Sequence, residues 1–225
     1  MNNETARYEI KYILDERSYA FCRNWLYSKT ILKKKHPQRT VNSIYCDNIS
    51  YDSAADNIIG LPYRSKYRFR WYGGLMDKPN CVTFEKKIKN NRVNTKNSLK
   101  LNVFNLDQNK NSSSFLDSAI KEVEYKMNQG KLLIPSLGVT YERDYFEDLN
   151  GLRVTFDRNI KFFPPKKLIK PDINFVSHKG YIMEVKFPIK IKNYAQKAIK
   201  DIPISPSRHS KYLMGLSKID GLLYI

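Results

Sequence analysis

Four segments of this 225-residue chain set charged side chains at every second position, with mostly large apolar residues between them. They are Arg7-Tyr8-Glu9-Ile10-Lys11, Arg68-Phe69-Arg70, Glu85-Lys86-Lys87 and Glu184-Val185-Lys186-Phe187. Successive side chains of a strand point to opposite faces, so each segment reads as a strand with one charged and one greasy face. In an ordinary half-buried sheet the charged face is simply the wet one. Here carboxylates sit between bases on the same face in strand after strand, a regularity that solvation does not require. The alternative is a barrel with a charged interior and helices on its outside, and such an interior calls for a charged guest.

The composition narrows what that guest is. The formal net charge is +18, from 40 Lys plus Arg against 22 Asp plus Glu, and the pI is near 9.7. That balance attracts polyanions such as nucleic acid, phosphorylated metabolites, polyphosphate or an anionic membrane surface. Apolar content of 41%, aromatic content of 13% and 16 Tyr exclude a disordered basic tail. The first residues carry no apolar leader, and no stretch approaches the length of a membrane span, so the expected location is cytoplasmic, at most peripheral to a membrane through a partner. Cys22, Cys46 and Cys81 are odd in number and lack metal-ligand spacing, which fits a reducing compartment. His36, His178 and His209 are scattered and read as surface or capping residues.

Along the chain, a strand over Thr5 to Leu14 leads to a helix capped by Asp15 and running to about Ser28. Lys33 to Pro37 reads as a polar connection, Val41 to Asp47 as the second strand, and Tyr51 to Ile59 as a short turn or helix. A third strand, Tyr63 to Trp71, ends at Gly73-Gly74, and a fourth spans Asn80 to Lys89. The Asn- and Lys-rich stretch from Asn90 to Ser114 reads mostly as loop, with a short strand or helix near Ser98 to Phe104. A helix over Phe115 to Asn128 precedes a hairpin, Val139 to Phe146 and Gly151 to Asp157, turned at Asn150-Gly151. A connection at Pro164-Pro165 leads to a short strand over Ile173 to Val176 and a last strand over Tyr181 to Phe187. Helices around Tyr194 to Lys200 and Ser207 to Ile219 follow. No repeat or linker divides the chain, so the expectation is a single domain over residues 1–225, of α+β class: an eight-stranded antiparallel β tunnel flanked by helices.

Extending the alternation gives an inward set of Arg7, Lys11, Arg68, Arg70, Lys87, Arg143, Arg153 and Lys186 against Glu9, Glu85, Asp157 and Glu184. Burying an ion costs several kcal/mol, and an opposite charge about 4 Å away returns only about 4 kcal/mol at an effective dielectric of about 20. An interior with this surplus of bases is therefore stable only when wet or filled by an anion. Arginine suits phosphate because its planar fork binds two oxygens at once. The carboxylates either orient the bases or hold a divalent cation that bridges phosphates. No phosphate-cradling glycine loop and no Ser, Cys or His constellation suggests another device.

Several motifs resemble, in order and over essentially the whole chain, the VTC domain, the polyphosphate polymerase branch of the CYTH-like triphosphate tunnel metalloenzymes. They are Arg7-x-Glu9-x-Lys11-Tyr12, Val41 to Asp47, Lys66-Tyr67-Arg68-Phe69-Arg70, Phe84-Glu85-Lys86-Lys87, Tyr141-Glu142-Arg143, Leu152 to Asp157, Met183-Glu184-Val185-Lys186-Phe187 and Ser210-Lys211-Tyr212. The resemblance implies that Lys11, Arg68, Arg70, Lys87, Arg143, Arg153, Lys186 and Lys211 bind phosphate, that Glu184 holds Mn²⁺ or Mg²⁺, and that Glu9 orients neighbouring bases or assists the metal. Arg7 joins the basic set, Glu85 and Asp157 are orienting carboxylates, and Lys11, Arg68, Arg70, Lys87 and Glu184 form the catalytic group. Hydrolases of that superfamily resemble one another in an N-terminal Glu-x-Glu-x-Lys, where this chain has Arg7 in the first place. Losing a carboxylate there favours transfer to phosphate over transfer to water.

The implied activity is metal-dependent transfer of the γ-phosphate of ATP, or another nucleoside triphosphate, to a growing inorganic polyphosphate chain. The partners are then ATP and polyphosphate, with a membrane-protein partner as an option and no nucleic acid. Three rivals stand beside this reading. One is a triphosphate or nucleoside triphosphate hydrolase of the same superfamily, and another is a non-catalytic polyphosphate sensor. The third is a nucleic-acid binder, suggested by Arg68 to Trp71 and opposed by the carboxylates on the basic face.

Overall fold

The alternating strands pair edge to edge until the last meets the first. The computed structural model describes residues 2–75, 81–101, 112–127, 132–165 and 174–221. In chain order these form β1 (Asn2–Leu14), α1 (Glu16–Lys29), β2 (Lys33–Asp47), α2 (Asp52–Ile59), β3 (Tyr63–Tyr72), β4 (Val82–Asn90) and β5 (Val93–Leu101). Then come α3 (Ser112–Met127), β6 (Ile134–Glu147), β7 (Arg153–Phe163), β8 (Val176–Ser177) and β9 (Tyr181–Pro188). A 3-10 turn at Ile189–Ile191 precedes α4 (Lys192–Ile199), and α5 (Lys211–Asp220) follows. The sheet order is β6-β2-β3-β4-β5-β1-β9-β7, and β7 pairs with β6 to close an antiparallel ring of eight. The two residues of β8 add to the flank of β7. Closure leaves no long unpaired edge among these strands.

Local chemistry sets the element ends. Asp15 caps α1 through a reciprocal box: the Ser18 N–H donates to its carboxylate at 2.8 Å, and its own N–H donates to the Ser18 hydroxyl at 2.9 Å. Asp47, at the end of β2, accepts from the N–H groups of Ser53 and Ala54 in the first turn of α2 and from the Tyr212 hydroxyl on α5. One buried carboxylate therefore fixes two helices. The β6–β7 hairpin turns at Asn150-Gly151 as expected, with Gly151 at φ +88°, where a side chain is strained.

Two sequence expectations are corrected. Lys33 to Pro37 is not a connection; it is the irregular start of β2, with Lys33 opposite Glu147, Lys34 opposite Phe146 and register shifts on either side of His36. The stretch after Asn90 is not mostly loop, because Val93–Leu101 forms β5, turned back from β4 through Asn91 at φ +53°. Residues 102–111 lie outside the described part, as do Asn80, Asn128 and Ile173, at which other expected elements began or ended. The short strand expected up to Val176 is found at Val176–Ser177.

Apolar side chains occupy three layers. Outside the ring, Cys22, Trp25 and Leu26 of α1 and Ala195 of α4 cover Leu14, Val154, Phe156, Met183 and Val185. The Trp25 indole N–H, donating to the Ala198 carbonyl at 3.2 Å, ties those helices together. Ala119, Ile120 and Val123 of α3 cover Ile44, Phe69, Trp71 and Phe84. The third layer is inside: Tyr212, Leu213 and Leu216 of α5 pack on Val41, Tyr45, Leu137, Val139, Ile160 and Phe162. Gly215 permits that approach, since a Cβ there would meet the Leu137 side chain at 2.4 Å and Phe162 at 2.6 Å. A bulge at Asn159, φ +52°, makes this layer possible. It reverses the alternation on β7, so the wall changes from Thr155 and Asp157 to Ile160 and Phe162. Among the described residues no helix is long and apolar enough to cross a membrane.

Candidate active site: a basic tunnel

The inward positions of six strands and the start of α5 converge on one chamber of about 80 Å³. Glu9 and Lys11 come from β1, Tyr45 from β2, and Lys66, Arg68 and Arg70 from β3. Lys87 comes from β4, Tyr141 and Arg143 from β6, Glu184 and Lys186 from β9, with Ser210 and Lys211 closing the far side. Eight bases thus face two carboxylates. The chamber opens into a vestibule of about 640 Å³ that shares Glu9, Lys11, Lys66, Lys87 and Ser210 with it and adds Arg64, Lys89, Arg92 and Arg208.

Each carboxylate is buried between bases. Glu9 pairs with Lys87 at 2.6 Å and Lys11 at 3.3 Å. Glu85 lies beneath the wall, bonded to Arg68 at 2.6 Å, Lys96 at 3.0 Å and Arg70 at 3.6 Å. Asp157, fully buried, takes both arms of the Arg143 fork and the Lys211 ammonium. Glu184 meets Lys186 at 2.5 Å, Arg143 at 3.4 Å, Lys11 at 3.6 Å and Lys211 at 3.8 Å. The phenols complete the wall, with Tyr45 accepting from Arg68 at 3.3 Å and Tyr141 from Arg70 at 3.2 Å.

The fields inside are strong. Burial alone would raise the acids, but the surrounding cations override it: Lys87, Lys11 and Lys186 hold Glu9 well below the usual carboxylate range. Lys186, Lys11, Lys211 and Arg143 do the same to Glu184. Among the bases, burial and the crowding of Lys11 and Lys186 push Lys87 down to about 8, against the pull of Glu9. Lys66 falls well below its ordinary value through burial and then the repulsion of Lys11, Lys87 and Arg64. The tunnel holds more positive charge than its own acids neutralise.

The inward set read from the sequence is mostly assembled here. Lys11, Arg68, Arg70, Lys87, Arg143, Lys186, Lys211, Glu9 and Glu184 line the chamber, while Glu85 and Asp157 support it from behind. Two residues are corrected. Arg153 sits at the start of β7 with its side chain 52% exposed and pairs with Glu147 at 2.9 Å, outside the tunnel. Arg7 lies opposite Asn94 and Pro188 and is not among the residues that line either cavity. Lys66 and Arg64 were missed although the β3 alternation contains them. Lys96 was missed with β5, and Tyr45, Tyr141 and Ser210 carried no charge to mark them.

Among the described residues no three His, Cys, Asp or Glu side chains converge as a metal cage. A divalent cation would be held by one or two carboxylates, with phosphate oxygens and water filling its shell, which is the habit of Mg²⁺ with nucleotides. Glu184 fits that role on the chamber wall.

Residues 6–219 match the VTC domain. The chain belongs to the VTC domain family. No curated protein matches this VTC domain. Its fold is that of the triphosphate tunnel proteins, as solved structures show. HpAC1 from Hippeastrum, a proposed adenylyl cyclase described as having a dominant triphosphatase activity, aligns at TM-score 0.51 and 15% identity, over 96% of this chain and 97% of that one. The PH1819 protein of Pyrococcus horikoshii aligns at TM-score 0.54 and 12% identity, over 94% and 99%. A chain of the Schizosaccharomyces pombe Mediator head module aligns at TM-score 0.51 and 9% identity, over 90% and 98%. At such identities the likeness shows the fold, and the VTC domain's chemistry is argued from its own residues.

Proposed function

We propose that this VTC domain is a polyphosphate polymerase that transfers the γ-phosphate of ATP to a growing inorganic polyphosphate chain within its tunnel. The observation that carries the reading is the buried surplus of eight lining bases over two lining carboxylates, on an inner wall reached through a basic vestibule. A chain of phosphates is the guest whose charge density matches that wall.

Phosphoryl transfer passes through a loose transition state, so positioning and charge neutralisation supply most of the rate. Arg68 and Arg70, held by Glu85, would grip phosphate oxygens with preset forks. Lys11, Lys87 and Lys186 would leave Glu9 and Glu184 in part to meet the bridging oxygens, and Arg143 and Lys211 would stabilise charge on the deeper phosphate. Mn²⁺ or Mg²⁺ held by Glu184 would neutralise charge on the phosphates. Arg7 stands where a hydrolase would carry a first glutamate, so among the described residues the carboxylates lining the chamber are Glu9 and Glu184 alone. The base of the nucleotide would remain in the vestibule.

The test is incubation of the purified protein with ATP and Mn²⁺, followed by gel electrophoresis and phosphorus NMR. Internal polyphosphate resonances and long chains are the expected result. Orthophosphate as sole product would move the reading to hydrolase, and tight triphosphate binding without turnover would move it to a sensor.

A further inference from the structure

Ser210 and Lys66 are 144 residues apart in the chain, and the fold brings the Lys66 Nζ to 2.8 Å from the Ser210 Oγ. The serine is buried, and both side chains line the chamber and the vestibule, at the level of Lys11 and Lys87. A hydroxyl within hydrogen-bond reach of an amine, inside a site built for phosphate, is the arrangement of a nucleophile and its base. We propose that Ser210 attacks the γ-phosphorus of a nucleoside triphosphate held in the tunnel, with Lys66 as general base, and that the phosphoserine formed primes the chain. The inference rests on the tunnel reading above and adds a covalent step to it.

The step balances. The Ser210 Oγ forms a bond to phosphorus as its proton passes to the Lys66 amine, which becomes an ammonium. The bond from the γ-phosphorus to the bridging oxygen breaks, and its electron pair leaves on the nucleoside diphosphate. The next transfer places a phosphoryl group on the serine-bound phosphate. No oxidant, reductant or further reactant is needed.

Two features of the pair support it. Burial, and then the like charges of Lys11, Lys87 and Arg64, which Glu9 offsets only in part, disfavour the Lys66 ammonium before a triphosphate enters the tunnel. The product anion would sit at the positive end of α5, which Ser210 caps, and against the ammonium just formed.

The experiment uses the whole chain with Mn²⁺ and, in parallel, ATP, GTP and tripolyphosphate labelled in the terminal phosphate. It reads label retained on the denatured protein and maps the modified peptide by mass spectrometry. Ser210→Asn keeps a good helix cap but cannot form the ester, and Lys66→Arg keeps the charge and a donor but cannot act as a base. The expected result is an acid-stable phosphoserine at Ser210, absent in Ser210→Asn and formed at least about tenfold more slowly in Lys66→Arg, a loss of about 1.4 kcal/mol in the barrier. Thermal unfolding of both variants separates this from loss of fold. Label absent with every donor, or unchanged in Ser210→Asn, overturns the proposal. Chains made without phosphoserine leave the polymerase and remove the priming serine; phosphoserine without chains does the reverse.

Discussion

The inner face of this barrel solves one problem in two ways. On β1, β3, β4 and β9 it is lined by Glu9, Lys11, Lys66, Arg68, Lys87, Glu184 and Lys186. On β2, β6 and β7 it carries Val41, Leu137, Val139, Ile160 and Phe162, covered by Leu213 and Leu216 of α5. The apolar half finds its complement within the same chain, so it gains from burial without any ligand. The charged half has too few acids to neutralise itself. It is held in a costly state whose natural complement is a polyanion. Stability resides in the apolar half, the proposed function assigns binding to the charged half, and Tyr45, Tyr141 and Lys211 lie where the halves meet.

Substitutions on each side can break that contrast. The largest expected effect is at their junction. Asp157→Ala removes the carboxylate shared by Arg143 and Lys211 and should cost about 3–5 kcal/mol of stability, as for other broken buried pairs, read as a lower midpoint of urea unfolding. Leu216→Ala in the apolar half should cost about 2–5 kcal/mol of stability, with triphosphate affinity little changed in calorimetry. A parallel fall in affinity would show that the halves are not separable. In the charged half, Arg68→Ala and Arg70→Ala should each weaken triphosphate binding by about 1.5–3 kcal/mol and lower stability less than either change above.

The smallest effect is on pH. An unfolded lysine keeps its proton to about pH 10.4, whereas Lys87 in the ligand-free fold releases it near 8, because burial and the nearby Lys11 and Lys186 disfavour the ammonium. The unfolded state then binds more protons between those values, so ligand-free stability should rise with pH across that window. A bound polyanion favours the ammonium, so triphosphate binding should take up protons and weaken as pH rises through about 8. Calorimetry in buffers of different ionisation heat reads the uptake directly. Binding with no proton uptake above that pH would mean that the lysine is not in contact with the phosphates.

Much of this architecture was legible because alternation is a local property. Glu9 and Lys11, Arg68 and Arg70, and Glu184 and Lys186 each lie two apart on one strand, so a common face follows from the pleat alone. The same rule failed where the pleat is interrupted. The bulge at Asn159 reverses the face of β7 without a mark that distinguishes it from a turn asparagine. Arg153 obeys the alternation and yet leaves the tunnel, since facing inward says nothing about lying beyond the rim. Strand β5 was hidden because its inward residues, Asn94, Lys96 and Ser98, are the polar types that also make loops.

The sequence by itself determined the strand faces, the cap at Asp15, the hairpin at Asn150-Gly151 and the surplus of base over acid that demands an anion. All of these depend on neighbours within a few positions or on composition. Tertiary structure decided the pairing of β1 with β9 that closes the ring, the entry of α5 into the barrel and the meeting of Lys66 with Ser210. Each of those joins segments far apart in the chain, and their pairing follows from packing and register across the whole ring, which no local pattern encodes.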